Sequence, residues 1–83
     1  MDQIIRILFS DIEKFFTEES LEAFKTMSSE GIVKSNYALD MMIRNILIEP
    51  SIHIKGAFIS KGIKDIETMS AMVIEQFHQS LND

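Results

Sequence analysis

An all-α fold is predicted from three features of this 83-residue sequence. Apolar residues recur at helical spacing in four separate stretches, residues typical of helix caps lie between them, and one proline and three glycines are the main helix breakers. A chain of this length forms one domain at most. We therefore predict a single helical domain over residues 1–83, a small antiparallel bundle of four main helices with a fifth short element near residues 51–61.

The first two helices are predicted from Asp2 to about Phe16 and from Glu18 to about Ser28. The first carries a broad apolar stripe made of Met1, Ile5, Leu8, Phe9, Ile12, Phe15 and Phe16. Ile7 lies on the opposite side. Thr17 is placed to cap the second helix, which should bury Leu21, Phe24 and Met27. Gly31 is expected to adopt the left-handed conformation of a C-terminal cap.

The third and last helices are the longest predicted ones. Ser35 or Asn36 should cap the third, which continues to about Ile48 and ends before Pro50. Its core stripe is Leu39, Met42, Ile43, Ile46 and Leu47. The last helix begins near residues 63–65 and continues to about Leu81, with its stripe at Ile63, Ile66, Met69, Val73, Ile74, Phe77 and Leu81. We expect the most buried side chains to be Phe9, Ile12, Phe16, Leu39, Ile43, Ile46, Val73 and Phe77.

The segment 51–61 fits two local structures. Ile52 and Ile54 alternate with polar residues as in a strand. However, Pro50 before the segment and Gly62 after it also frame a short helix. A strand would need a partner strand, and no second strand pattern is present in the sequence. We therefore favour the short helix.

The sequence offers little for catalysis. Cysteine is absent and the only histidines are His53 and His78, of which His78 is expected to face solvent from the last helix. Neither lies in a nucleophile motif, and no spacing of carboxylates and histidines indicates a metal site. We predict a protein that is not an enzyme, with no cofactor, no metal and no small-molecule substrate. The acidic start of the chain and the missing cysteines favour a cytoplasmic protein, and no stretch is apolar enough to span a membrane.

A second stripe on the third helix is the most informative feature for function. Tyr37, Met41, Arg44 and Ile48 share one face, opposite the core stripe. Tyr, Met and Arg are enriched at protein interfaces. Either the last helix or the segment 52–59 covers this stripe as core, or the stripe binds another protein or a second copy of the chain. We predict a small interaction protein, such as a regulator, inhibitor or adaptor, that forms a homodimer.

A DNA-binding regulator is the alternative. Residues 20–47 have the outline of a helix-turn-helix, and the segment 52–59 would then form a wing. The expected basic stripe is missing: Lys34 and Arg44 are offset by acidic residues, and the net charge is −5. Charge therefore argues against nucleic acid as the partner.

Overall fold

The computed structural model describes residues 2–48 and 52–82, and the side chains of residues 5–48 and 54–82. The described residues contain helices and no strand: α1 (Asp2–Ile7), α2 (Phe9–Phe15), α3 (Glu18–Thr26), α4 (Tyr37–Ile48), α5 (Ile52–Ser60) and α6 (Ile66–Asn82). Because α1 and α2 are two parts of one interrupted helix, the fold is an all-α globule of five helices, which confirms the predicted fold class. The predictions for Met1, Glu49, Pro50 and Ser51 and for the side chain of His53 lie outside the described part.

The interruption between α1 and α2 is a single tightened turn at Leu8. The amide of Leu8 donates to the carbonyl of Ile5 at 2.9 Å, three residues back, while the amide of Ile12 donates to Leu8 in the ordinary helical pattern. Leu8 itself keeps a right-handed helical conformation. The apolar stripe therefore stays on one side, and Ile5, Leu8 and Ile12 are buried while Ile7 is exposed, as predicted.

Thr17 caps α3 as predicted. Its hydroxyl oxygen accepts a hydrogen bond from the amide of Ser20 at 3.1 Å, and the Ser20 hydroxyl oxygen accepts one from the amide of Thr17 at 2.8 Å. This reciprocal pair is a capping box with serine in its third helical position. Glu18 and Glu19 then lie in the first turn, where the helix dipole favours negative charge.

The start of α4 differs from the prediction. The single turn of 3₁₀ helix at Lys34–Asn36 leads directly into α4, and neither Ser35 nor Asn36 caps it. The side-chain amide of Asn36 donates instead to the backbone carbonyl of Ile32 at 2.7 Å. Gly31 has the expected positive φ of 75°, but it shapes the turn before α4, since α3 has already ended at Thr26.

Segment 52–60 is helical, which confirms the favoured interpretation and excludes the strand and the wing. The helix ends in a paired hydrogen-bond motif: Gly62, with φ of 85°, donates to Ile59 at 2.9 Å, and Ile63 donates to Phe58 at 3.0 Å. This is the Schellman arrangement, in which a left-handed glycine satisfies the last carbonyls of a helix. It also brings Ile63 next to Phe58, which is fully buried.

The core lies around α4 and α6, which pack against each other. Helix α3 packs on α6, α2 on α4, and α5 on both α4 and α1. The predicted core residues Ile12, Leu39, Ile43, Val73 and Phe77 are buried, whereas Phe9, Phe16 and Ile46 are only partly so. Burial of Ile32 and Phe58 was not predicted, although both are fully or nearly fully buried. Ile32 lies in a turn, and Phe58 lies in the segment 51–61, whose local structure the sequence left open.

An aromatic cluster joins the two ends of the chain. The ring of Phe77 lies 5.3 Å from Phe9 and 5.8 Å from Phe24, measured between centroids, and Phe16 lies 5.2 Å from Phe24. Phe16 reaches the cluster because its backbone leaves the helical conformation, with ψ of 148°. Phe15, predicted on the apolar stripe, stays exposed at the rim, so that part of the prediction is wrong.

Candidate interaction surface

The second stripe of α4 lies on the surface of the domain. Tyr37 is 70% exposed, Ile48 is 66% exposed and Met41 is 38% exposed. Arg44, between Met41 and Ile48, is half-buried. The opposite side of the same helix is buried through Leu39, Ile43 and Leu47. Neither α5 nor α6 covers the stripe in the described part of the chain, so the stripe is surface there and not core.

Arg44 is held in place by Asp40, one turn earlier on α4. Its Nε donates to Asp40 Oδ1 at 3.2 Å, and a second guanidinium nitrogen lies 3.0 Å from Asp40 Oδ2. The two contacts form a bidentate pair, a geometry that fixes the planar guanidinium in one orientation. The pKa of Arg44 is raised above its ordinary value, first by this hydrogen bond and further by the negative charges of Asp40 and Glu67.

Asp40 is in turn anchored to α6. Its side chain is only 9% exposed, and Ser70, which is fully buried, donates a hydrogen bond of 2.5 Å to Asp40 Oδ1. Asp40, Arg44 and Ser70 therefore form one polar network between α4 and α6. The sequence pattern identifies Asp40 only as one of the acidic residues that offset Lys34 and Arg44 on a possible DNA-binding helix, and it does not single out Ser70. The Asp-to-Arg spacing of four residues was the one available signal.

Charge is nearly absent from the exposed side of α4. The exposed residues of the helix are Tyr37, Ala38, Met41, Asn45 and Ile48, none of which is charged. Arg44 is the only cation there, and Asp40 neutralises it. A surface without net charge can be buried with little loss of hydration of charged groups.

His78 does not face solvent, so that prediction is wrong. Its side chain is buried, its Nε2 lies 2.9 Å from the carbonyl oxygen of Met27, and its ring packs edge-on against Phe24 at 5.3 Å. Because a carbonyl only accepts, Nε2 carries the proton of this hydrogen bond. His78 thus joins α6 to the end of α3. The 3.6-residue pattern placed His78 on the outer side of the last helix and contained no information that the end of α3 lies over it.

A groove of about 570 Å³ lies beside His78, between the turn before α4 and the second half of α6. Ile32 and His78 line it together with the exposed carboxyl-bearing residues Glu30 and Glu75. Among the described residues, no three histidine or acidic side chains are grouped so as to hold a metal ion. The groove is an open depression next to the core, with both apolar and polar residues in its lining.

No helix in the described part of the chain is both long and apolar enough to cross a membrane. The longest, α6, has 17 residues and includes Glu67 and Glu75.

The described residues form a small all-α domain in which the exposed residues of α4 carry no charge. The sequence matches the family described as Domain of unknown function (DUF6794) over residues 6–81, and the chain belongs to that family. The matched region includes every element from α2 to α5, together with the whole α4 face. No curated protein and no solved structure matches the chain.

Proposed function

We propose that this domain is a non-enzymatic protein-interaction module, a small cytoplasmic regulator, inhibitor or adaptor, that binds its partner through the exposed face of α4. The binding residues are Tyr37, Met41, Arg44 and Ile48. The observation that carries the proposal is the exposure of three large apolar side chains on a helix whose other side is already packed into the core. The absence of cysteine supports the reducing setting of the cytoplasm.

The composition of this face supports a protein partner. Tyrosine, methionine and arginine are among the residues enriched at interface centres, where charged residues other than arginine are depleted. The bidentate pair with Asp40 holds Arg44 in one orientation before binding. A fixed side chain loses less conformational entropy on association than a mobile one. The face therefore resembles a preorganised interface more than a solvated helix surface.

The exposed face of α4 is too small to form a stable interface by itself. A helix of 12 residues is about 18 Å long, whereas a stable interface buries roughly 800 Å² on each partner. We expect the contact to extend onto α5, which packs against α4 and exposes Ile59. The bound surface would then combine α4 with part of the segment 52–59.

Replacing Met41 and Ile48 together with glutamate tests the proposal. Two charges in an apolar interface should abolish association, while the folded structure should survive because both side chains are exposed. Circular dichroism reports folding, and sedimentation equilibrium or partner capture from the native host reports association. Ile7→Glu is the control, since Ile7 is as exposed as Ile48 and lies on a different helix.

Three results are informative. A folded double variant that no longer associates, beside an unaffected Ile7→Glu, supports the proposal. A folded double variant that associates like the wild type excludes this face. An unfolded double variant beside a folded Ile7→Glu would mean that the face is needed for folding itself and would also overturn the proposal.

DNA binding is the weaker alternative. The cation that α4 would offer to phosphate, Arg44, is bonded to Asp40, and the segment that would form a wing is helix α5. A DNA complex should weaken steeply as salt rises because counterions are released on binding. A complex through the α4 face should keep its affinity between low and high salt. Titration of double-stranded DNA and of the protein partner at two salt concentrations separates the two functions.

A further inference from the structure

The four residues of the α4 face are spaced symmetrically. Tyr37 and Met41 are four residues apart, Met41 and Arg44 are three apart, and Arg44 and Ile48 are four apart. The pattern is the same when the helix is followed in the opposite direction. Its centre lies between Met42 and Ile43, which is also the centre of α4.

A helix face with this symmetric spacing can pack against the same face of a second copy related by a two-fold axis. In an isologous contact, residue i of one copy meets residue j of the other, and j meets i. If two α4 helices pack antiparallel about their common centre, Tyr37 lies at the height of the partner's Ile48. Met41 then lies at the height of the partner's Arg44. Every residue of the face thus meets a different residue of the second copy, and both helices overlap over their full length.

Charge favours a second copy on this face more than on the acidic surface of α3. Each copy has a net charge of −5, so two copies repel unless they meet where the charge is low. The exposed residues of α4 are uncharged and Arg44 is neutralised by Asp40, whereas α3 exposes Glu18, Glu19 and Glu22. The α4 face offers no charges with which to select a strongly basic or acidic protein.

Side-chain packing also favours the antiparallel arrangement over a parallel one. In a parallel two-fold contact each residue would meet its own counterpart, and the two Arg44 guanidinium groups would face each other. In the antiparallel contact the partner's Arg44 lies over Met41, whose polarisable thioether chain packs against the aliphatic stem.

We infer that the domain forms a homodimer in which α4 packs antiparallel against α4 of a second copy, with Tyr37 against the partner's Ile48 and Met41 against the partner's Arg44. The inference rests on the proposed function, because it names the partner of the same face.

Cysteine cross-linking tests the register, since the wild-type chain contains no cysteine that could react. Tyr37→Cys and Ile48→Cys are prepared separately, mixed, and treated with a short bis-maleimide. The antiparallel contact predicts covalent dimers in the mixture and few in either variant alone, because positions 37 and 48 of one helix are about 16 Å apart. Ile7→Cys is the control and should not cross-link to either variant. Cross-links formed by each variant alone would show a parallel contact and overturn the inference.

A second pair of variants tests the same pairing without introduced cysteines, which could themselves weaken the dimer. In the antiparallel dimer, Met41→Lys places a cation against the partner's Arg44, whereas Met41→Glu places an anion there. Sedimentation equilibrium should therefore give a dissociation constant several-fold larger for Met41→Lys than for Met41→Glu. Equal weakening of the two contradicts the antiparallel pairing.

The inference and the proposed function fail in different ways. A wild-type chain that stays monomeric at high concentration overturns the homodimer. The proposed function still holds in that case if the Met41 and Ile48 double glutamate variant loses a protein that the wild type captures. If that capture is unchanged, both are wrong.

Discussion

Ser70 donates a hydrogen bond of 2.5 Å to Asp40 Oδ1, and this contact joins the second turn of α6 to the first part of α4. The two residues are 30 positions apart in the sequence, and both are buried. The same carboxyl group holds Arg44 on its other side. One buried polar network therefore fixes how α4 lies on α6 and orients the arginine of the exposed face.

Ser70→Ala should destabilise the domain by about 1.5–3 kcal/mol, the range for a hydrogen bond to a charged group. The serine is fully buried, so water cannot replace its hydroxyl without opening the α4–α6 contact. Urea denaturation measures the free energy of unfolding. Ser60→Ala is the control, because Ser60 is exposed and bonds only to the carbonyl of Ala57 in its own helix. Equal stability of the two variants would show that the network contributes little.

Phe77→Ala should cost about 3–5 kcal/mol, the usual range for removing a buried phenylalanine. Phe77 is almost fully buried and its ring lies within 7 Å of Phe9, Phe16 and Phe24, so the change empties the aromatic cluster. A small domain with about 5 kcal/mol of stability would be left largely unfolded. Thermal melting followed by circular dichroism checks this. Phe15→Ala, at the exposed rim, should melt close to the wild type, and a similar loss in both variants would contradict the packing.

His78→Ala should lower the free energy of unfolding by about 1–3 kcal/mol, the cost of leaving a buried polar group without its partner. The change removes the hydrogen bond to the Met27 carbonyl and the edge-on contact with Phe24. Chemical denaturation measures the effect. The neighbouring Gln79 is exposed, so Gln79→Ala should be nearly neutral. A stable His78→Ala would indicate that the side chain is solvated after all.

Protonation of Asp65 should make the domain less stable in acid. Its Oδ2 accepts hydrogen bonds from the Thr68 hydroxyl and from the backbone amide of Thr68 at 3.0 Å, and these lower the Asp65 pKa below its ordinary value of 3.8. A lowered pKa in the folded state means that the carboxylate stabilises α6 above the unfolded pKa. This stability is lost as pH falls through the folded pKa.

Melting temperatures of the wild type and of Asp65→Asn across the acid range measure this contribution. Asparagine keeps a capping oxygen but has no charge to titrate. The wild type should lose its advantage over Asp65→Asn as the pH drops below about 4. A difference between the two that stays constant with pH would contradict the assignment.

The local structure followed closely from the sequence. Thr17, Gly62 and the periodic stripes of α4 and α6 identify caps, a helix end and buried faces through short-range rules of spacing and backbone conformation. The α4 face was also visible in the sequence, because Tyr37, Met41, Arg44 and Ile48 recur at helical spacing, and the structure places all four on one side of α4.

The contacts between helices could not be found in this way, because a helical pattern shows which side of a helix is apolar and not which element lies against it. His78 is buried since the end of α3 passes over it, and Phe58 is buried since α5 packs on α4 and α1. Asp40 and Ser70 meet only because α4 and α6 pack in one particular register. The sequence alone therefore determined most of the helices and their apolar faces, but not the tightened turn at Leu8 or the exposure of Phe15. Only the tertiary structure decided which polar groups are buried in pairs and that the α4 face is left uncovered, because both depend on long-range packing.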